Sequence, residues 1–152
     1  MARPPAPAAP SSEADASLVA GLRRVVMRLA RRLRQQSEGD VTASRLSALS
    51  SINRLGPLTL GELAAVEQVQ PPSMTKIVAK LEEQGFVVRE PDASDRRVTR
   101  VRVSDEGRRY VARSRTLKNA YLAERLDRFD TAERELLAQA LPLLERLVED
   151  ER

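Results

Sequence analysis

The sequence predicts a mainly α-helical chain with one small β-hairpin between its fourth and fifth helices. Three observations carry that prediction. Apolar residues recur every three or four positions along most of the chain, the period of an amphipathic helix. One stretch, Val98 to Val103, alternates apolar and polar residues instead, the period of a half-buried strand. Capping and stopping residues stand where the helical stretches begin and end: Thr42, Thr59-x-x-Glu62, Ser104 and Asp130-x-x-Glu133 open them, and Gly56 and Gly85 close them.

Residues 1–14 form a Pro/Ala-rich tail with four of the nine prolines in its first ten positions. It has no apolar period and is expected to be disordered. It also lacks the run of strong hydrophobes of a signal peptide. From about Asp15, Leu18, Leu22, Val25, Leu29 and Leu33 recur at helical spacing, with Arg23, Arg24, Arg28, Arg31, Arg32 and Arg34 among them; Gly39 and Asp40 break this helix. A second helix, capped by Thr42, carries Leu46, Leu49 and Ile52 and stops at Gly56-Pro57. The Thr59 box opens a short third helix with Leu60, Leu63, Ala64 and Val66. Pro71 and Pro72 suit the first turn of a fourth, which runs to about Gln84, and Gly85 suits the left-handed position after it. Phe86 to Arg89 and Val98 to Val103 make the hairpin, with Pro91 to Arg97 as its polar turn. Ser104 caps a long fifth helix from about Asp105 to Arg128. Asp130 opens a sixth, where Leu137, Leu141, Leu144 and Val148 recur at helical spacing and Pro142 is expected to introduce a kink.

Composition removes whole classes of chemistry. The 152 residues include no cysteine and no histidine. Cys/His zinc sites, disulfides, thiol catalysis and nucleophiles activated by a His base are therefore excluded. There is no glycine-rich phosphate loop and no metal constellation, so the chain reads as a non-enzyme with no metal and no cofactor. No run approaches the roughly 18 apolar residues of a membrane span. The lack of cysteine fits a reducing cytoplasm. The net charge of +4 is unevenly spread: +5 over residues 1–34, −2 over 35–69, +4 over 70–115 and −3 over 116–152. Of the 26 basic residues 23 are Arg, whose planar fork suits bidentate contact with phosphates and base edges.

The element order over residues 41–103, three helices followed by a hairpin, is that of a winged helix-turn-helix. On the fourth helix Met74, Ile77, Val78 and Leu81 share one side. Pro72, Ser73, Thr75, Lys76, Ala79 and Lys80 lie on or beside the other, which offers donors and little bulk to a DNA groove. Such a face alone also fits an ordinary solvated helix. The hairpin tip adds weight to the DNA reading: Asp95-Arg96-Arg97, with Arg89, Arg100 and Arg102 on the strands, suits insertion into a narrow minor groove. Asp95 is expected to pair with Arg97 or Arg96 and orient its guanidinium. The apolar stripes of the first and last helices, Leu18, Leu22, Val25 and Leu29, and Leu137, Leu141, Leu144 and Val148, exceed what a small winged domain can bury. They are expected to form a homodimer interface, with residues 15–40 and 104–152 as dimerisation helices.

The run from Leu58 to Gly107 resembles the MarR-type regulators, bacterial winged-helix transcription factors. The resemblance rests on Thr59-Leu60-Gly61-Glu62-Leu63-Ala64, on Ser73 to Glu82, on Gly85-Phe86-Val87-Val88-Arg89, on Asp92-Ala93-Ser94-Asp95-Arg96-Arg97 and on Val103-Ser104-Asp105-Glu106-Gly107. It implies an obligate homodimer whose first, fifth and sixth helices interlock. It also implies recognition helices in successive major grooves and wing arginines in the minor groove. Many members release DNA when a small aromatic or phenolic anion binds between the dimerisation and DNA-binding regions. One departure is Gln70-Pro71-Pro72, where the family often has a Ser cap; Gln caps poorly and the second proline removes a further donor. The expected function is a sequence-specific regulator, a repressor, that binds a palindromic operator in double-stranded DNA and is released by a small ligand. The alternatives are a constitutive architectural DNA binder and a winged-helix protein-interaction module. The residues of a ligand pocket are not legible.

Overall fold

A computed structural model describes residues 12–36 and 41–148. Most of the tail expected to be disordered, residues 1–11, and the break at Gly39 and Asp40 lie outside them. The chain divides into two compact units, residues 1–36 and 37–152.

The first unit holds α1 (Glu13–Arg34). It starts before the expected position: Glu13 and Ala14, assigned to the tail by their lack of apolar period, are helical. The cause is a cap. The Ser12 hydroxyl accepts the Asp15 N–H at 3.1 Å, and Glu13 and Asp15 place negative charge at the positive helix end. No residue of α1 is buried, and Leu18 is 68% exposed.

The second unit contains α2 (Ala43–Leu55), β1 (Leu58–Thr59), α3 (Leu60–Val66), α4 (Pro71–Glu83), β2 (Val87–Pro91), β3 (Thr99–Val103), α5 (Asp105–Leu126) and α6 (Thr131–Arg146). The expected caps form. The Thr42 hydroxyl accepts the Arg45 N–H, and both capping boxes, Thr59 with Glu62 and Asp130 with Glu133, are closed reciprocally. Gly85 takes φ 73° after α4, where a side chain would be strained. In the turn between α3 and α4 it is Gln68, not a glycine, that adopts the left-handed conformation, at φ 53°. α6 continues through Pro142.

The sheet is antiparallel in the order β1-β3-β2. Val87 faces Val103 and Pro91 faces Thr99 across the hairpin, while Leu58 faces Val101 from the other edge. β1 was not legible in the sequence: two residues are too few to show an alternation, and only pairing with β3 makes them a strand. β2 also begins one residue later and ends two later than expected, because the ladder with β3 extends to Pro91–Thr99.

One aliphatic core joins these elements. It is built from Ala48, Leu49 and Ile52 of α2, Leu63 and Ala64 of α3, Met74, Val78 and Leu81 of α4, and Val87, Val101 and Val103 of the sheet. At ~1.5–3 kcal/mol for each large aliphatic side chain, this burial is what holds α4 and the hairpin in register. α5 packs on α2, and the Phe86 and Tyr110 rings meet at 4.8 Å where the hairpin joins α5. By contrast α6 buries none of its residues: Leu141 is 58% exposed, and Val148 just beyond it 82%.

Candidate nucleic-acid interface

The amphipathic pattern of α4 is realised in the structure. Met74, Val78 and Leu81 are buried and Ile77 is half-buried. Pro72, Ser73, Thr75, Lys76 and Lys80 are exposed together on the solvent side. Gln70 makes no side-chain cap, and the prolines occupy the first two helical positions, as their missing N–H groups allow. Thr75 turns its hydroxyl back to the Pro71 carbonyl at 3.0 Å. Lys80 pairs with Glu83 at 2.6 Å, but both are largely exposed and such a pair contributes little. Lys76 makes no ion pair with any described residue.

The hairpin tip is shaped by Asp92. Its carboxylate accepts the Ser94 N–H at 2.8 Å, the Ser94 hydroxyl and the Asp95 N–H at 3.2 Å, and it also binds the Arg100 guanidinium. The Asp92 side chain is only 12% exposed. Asp95 then holds Arg97 with a bidentate pair: Nε and Nη2 each donate at 3.0 Å, and the Arg97 backbone N–H donates to the same carboxylate. The Arg97 side chain is nevertheless 91% exposed, so its guanidinium is oriented yet open to solvent. Of the two expected partners, Asp95 takes Arg97. Arg96 is exposed and forms no ion pair with a described residue.

Two wing residues expected to face DNA are engaged inside the protein. Arg89 donates to Glu82 of α4 at 2.8 Å. Arg100 binds Asp92, Glu62 at 3.2 Å and the Pro57 carbonyl at 3.3 Å, tying the wing to the start of α3. Each has its charge offset by a carboxylate, so both serve first as struts that fix the wing against the helices. The sequence motif contained Asp92, but a single carboxylate in a polar turn carries no signal that it will organise the whole tip.

These contacts hold carboxylates in their ionised form. Hydrogen bonds from Ser94, then Arg100, hold Asp92 far below its ordinary 3.8. Arg97 lowers Asp95, and the Thr59 N–H, more than Arg100, lowers Glu62. A carboxylate depressed in the folded state stabilises above its unfolded pKa, and that contribution is lost as pH falls through the folded one. Stability to urea should therefore stay level from pH 7 to about 5 and decline below about 4. Asp92→Asn should lower stability at neutral pH and make the acid decline shallower. An unchanged acid limb in that variant would contradict the strut.

A protein-family model described as the MarR family matches residues 41–99, the helices and hairpin just described. An HTH-type transcriptional regulator of Mycobacterium tuberculosis is 40% identical over 139 residues, covering 91% of this chain and 97% of its own length. A crystal structure of a Pseudomonas aeruginosa protein, regarded as a transcriptional regulator, superposes with a TM-score of 0.84. Its identity is 38%, over 92% of this chain and 99% of the other. A MarR family protein from Bacillus stearothermophilus superposes with a TM-score of 0.76 at 26% identity, over 86% and 92%.

Proposed function

The chain belongs to the MarR family of DNA-binding transcriptional regulators, and from that premise we propose that it is a homodimeric repressor acting in the bacterial cytoplasm. It binds a palindromic operator and lets go of it when a small aromatic or phenolic ligand binds. The observation that carries the operator reading is the wing. Asp95 orients a fully solvated Arg97 at the tip, while Asp92, Arg100 and Arg89 lock the hairpin to α3 and α4. Ser73, Lys76 and Lys80 on α4 then read the major groove, with Pro72 and Thr75 beside them, and Arg97 and Arg96 enter the adjacent minor groove. The effector part rests on the family alone. With no cysteine the chain would sense by binding, not by thiol oxidation.

The dimer reading is supported by the two exposed stripes. Leu18, Val25 and Leu29 of α1 lie open, with Leu22 half-buried, and Leu137, Leu141 and Leu144 of α6 lie open along with Val148. Apolar patches of this kind mark interfaces. Sedimentation at micromolar concentration should give twice the 16.9 kDa chain mass. Leu144→Glu should shift it toward the monomer, and a wild-type chain that sediments as a monomer and still binds DNA tightly would overturn the dimer.

The operator is tested by selecting duplexes from a random library with the purified protein. The expected product is an inverted repeat with half-site centres about one helical turn, ~34–36 Å, apart. Recovery of bent but unrelated sequences would favour an architectural binder instead.

A further inference from the structure

We propose that Arg45 and Ser44, at the start of α2, form with Lys76 of α4 a phosphate-docking groove that grips the DNA backbone beside the recognition helix. The inference rests on the DNA-binding reading and adds to it a contact outside the helix-turn-helix and the wing. An open groove of about 540 Å³ runs between the two helices, lined by Thr42, Ser44 and Arg45 on one side and Ser73, Lys76 and Lys80 on the other. No carboxylate lines it.

The state of Arg45 distinguishes this groove from the rest of the basic surface. Arg89, Arg97, Arg100 and Arg102 each face a carboxylate. Arg45 is held instead by neutral acceptors: its Nε donates to the Thr42 hydroxyl at 3.2 Å, and Nη1 donates to the Gln84 side-chain oxygen at 3.2 Å. Its orientation is fixed while its charge stays uncompensated by any described residue. Lys76 adds a second unpaired cation across the groove. A guanidinium placed in advance loses little freedom on binding an anion, and its remaining N–H donors match phosphate oxygens.

Position identifies the anion. A helix about 10–12 Å across fills a major groove about 12 Å wide, so the phosphates of one strand must run along its flank. The groove lies on that flank and shares Ser73, Lys76 and Lys80 with the face of α4 expected to read bases. It is open along its length and has no walls to bury a small ligand, whereas a backbone strand needs only a charged channel.

The test compares binding of the selected duplex and a scrambled duplex of equal composition, by fluorescence anisotropy across a salt series. Arg45→Ala should weaken both duplexes by the same factor, roughly tenfold, and reduce the slope of log affinity against log salt by about 0.9. Ser44→Glu puts a negative charge in the groove without touching the bonds of Arg45, and an acidic residue in a first helical turn favours folding. It should therefore weaken both duplexes while its melting temperature holds or rises, which keeps the test valid if Arg45→Ala is less stable. Wild-type affinity and salt slope in both variants, with Arg97→Ala still impaired, would overturn the groove and leave the regulator reading standing. A loss confined to the selected duplex would also overturn it, since that is base reading. If the wild-type chain binds neither duplex, the DNA-binding reading falls and the groove with it.

Discussion

Replacing Arg97 with Ala is expected to weaken binding to the selected operator by ~1–3 kcal/mol, roughly 5- to 150-fold, while leaving the fold intact. The size follows from the wing geometry. The Arg97 guanidinium is held bidentately by Asp95 at 3.0 Å and is 91% exposed, so little reorganisation stands between the free protein and a minor-groove contact. The lost Asp95–Arg97 pair is itself worth little to stability, because exposed ion pairs are screened by water and salt. Thermal unfolding should then be nearly unchanged while affinity falls. If the loss is larger for the selected operator than for scrambled DNA, Arg97 is reading groove shape; an equal loss on both marks a plain phosphate contact. Unchanged affinity would remove Arg97 from the interface.

Gly107→Ala is expected to have the largest effect on stability. A Cβ at this position would lie 2.1 Å from the Phe86 carbonyl oxygen and 2.9 Å from the Val103 side chain. The carbonyl is not free to withdraw, because it accepts the Ser104 N–H at 2.9 Å, and the Ser104 hydroxyl donates to the Gly85 carbonyl at 2.6 Å. These bonds close the junction between the base of the wing and α5. An added methyl must pry that junction open, with a cost of ~1–3 kcal/mol or more. For a chain of this length each kcal/mol lowers the melting temperature by about 2–4 °C, measured at fixed protein concentration. A Gly107→Ala variant that melts at the wild-type temperature would mean that α5 and the wing base do not approach this closely.

The element order and the core were legible because they rest on local rules. The caps at Thr42, Thr59, Ser104 and Asp130, the stop at Gly85 and the buried spacing of Met74, Val78 and Leu81 all follow from residue type and period. The pairing of Asp95 with Arg97 was legible for the same reason, being a contact between near neighbours. What escaped the sequence was long-range. β1 exists only because Leu58 and Thr59 reach β3, more than forty residues on. The roles of Arg100 and Arg89 depend on Glu62 and Glu82, carboxylates that the fold alone brings near. Arg45 acquires Gln84 as a partner across 39 residues, and no spacing rule would link an N-terminal arginine of one helix to the end of another. Gln68 shows the reverse limit: the turn needs a left-handed residue, yet the sequence offers no glycine to announce it.

The central claim is that this chain reads a particular DNA sequence through α4 and the wing. The most direct measurement is the affinity of the wild-type protein for the selected duplex against a scrambled duplex, both at the same physiological salt. The expected ratio is about 10³ or more, with affinity for both falling steeply as salt rises. Equal affinity for the two duplexes, or affinity indifferent to salt, would contradict it.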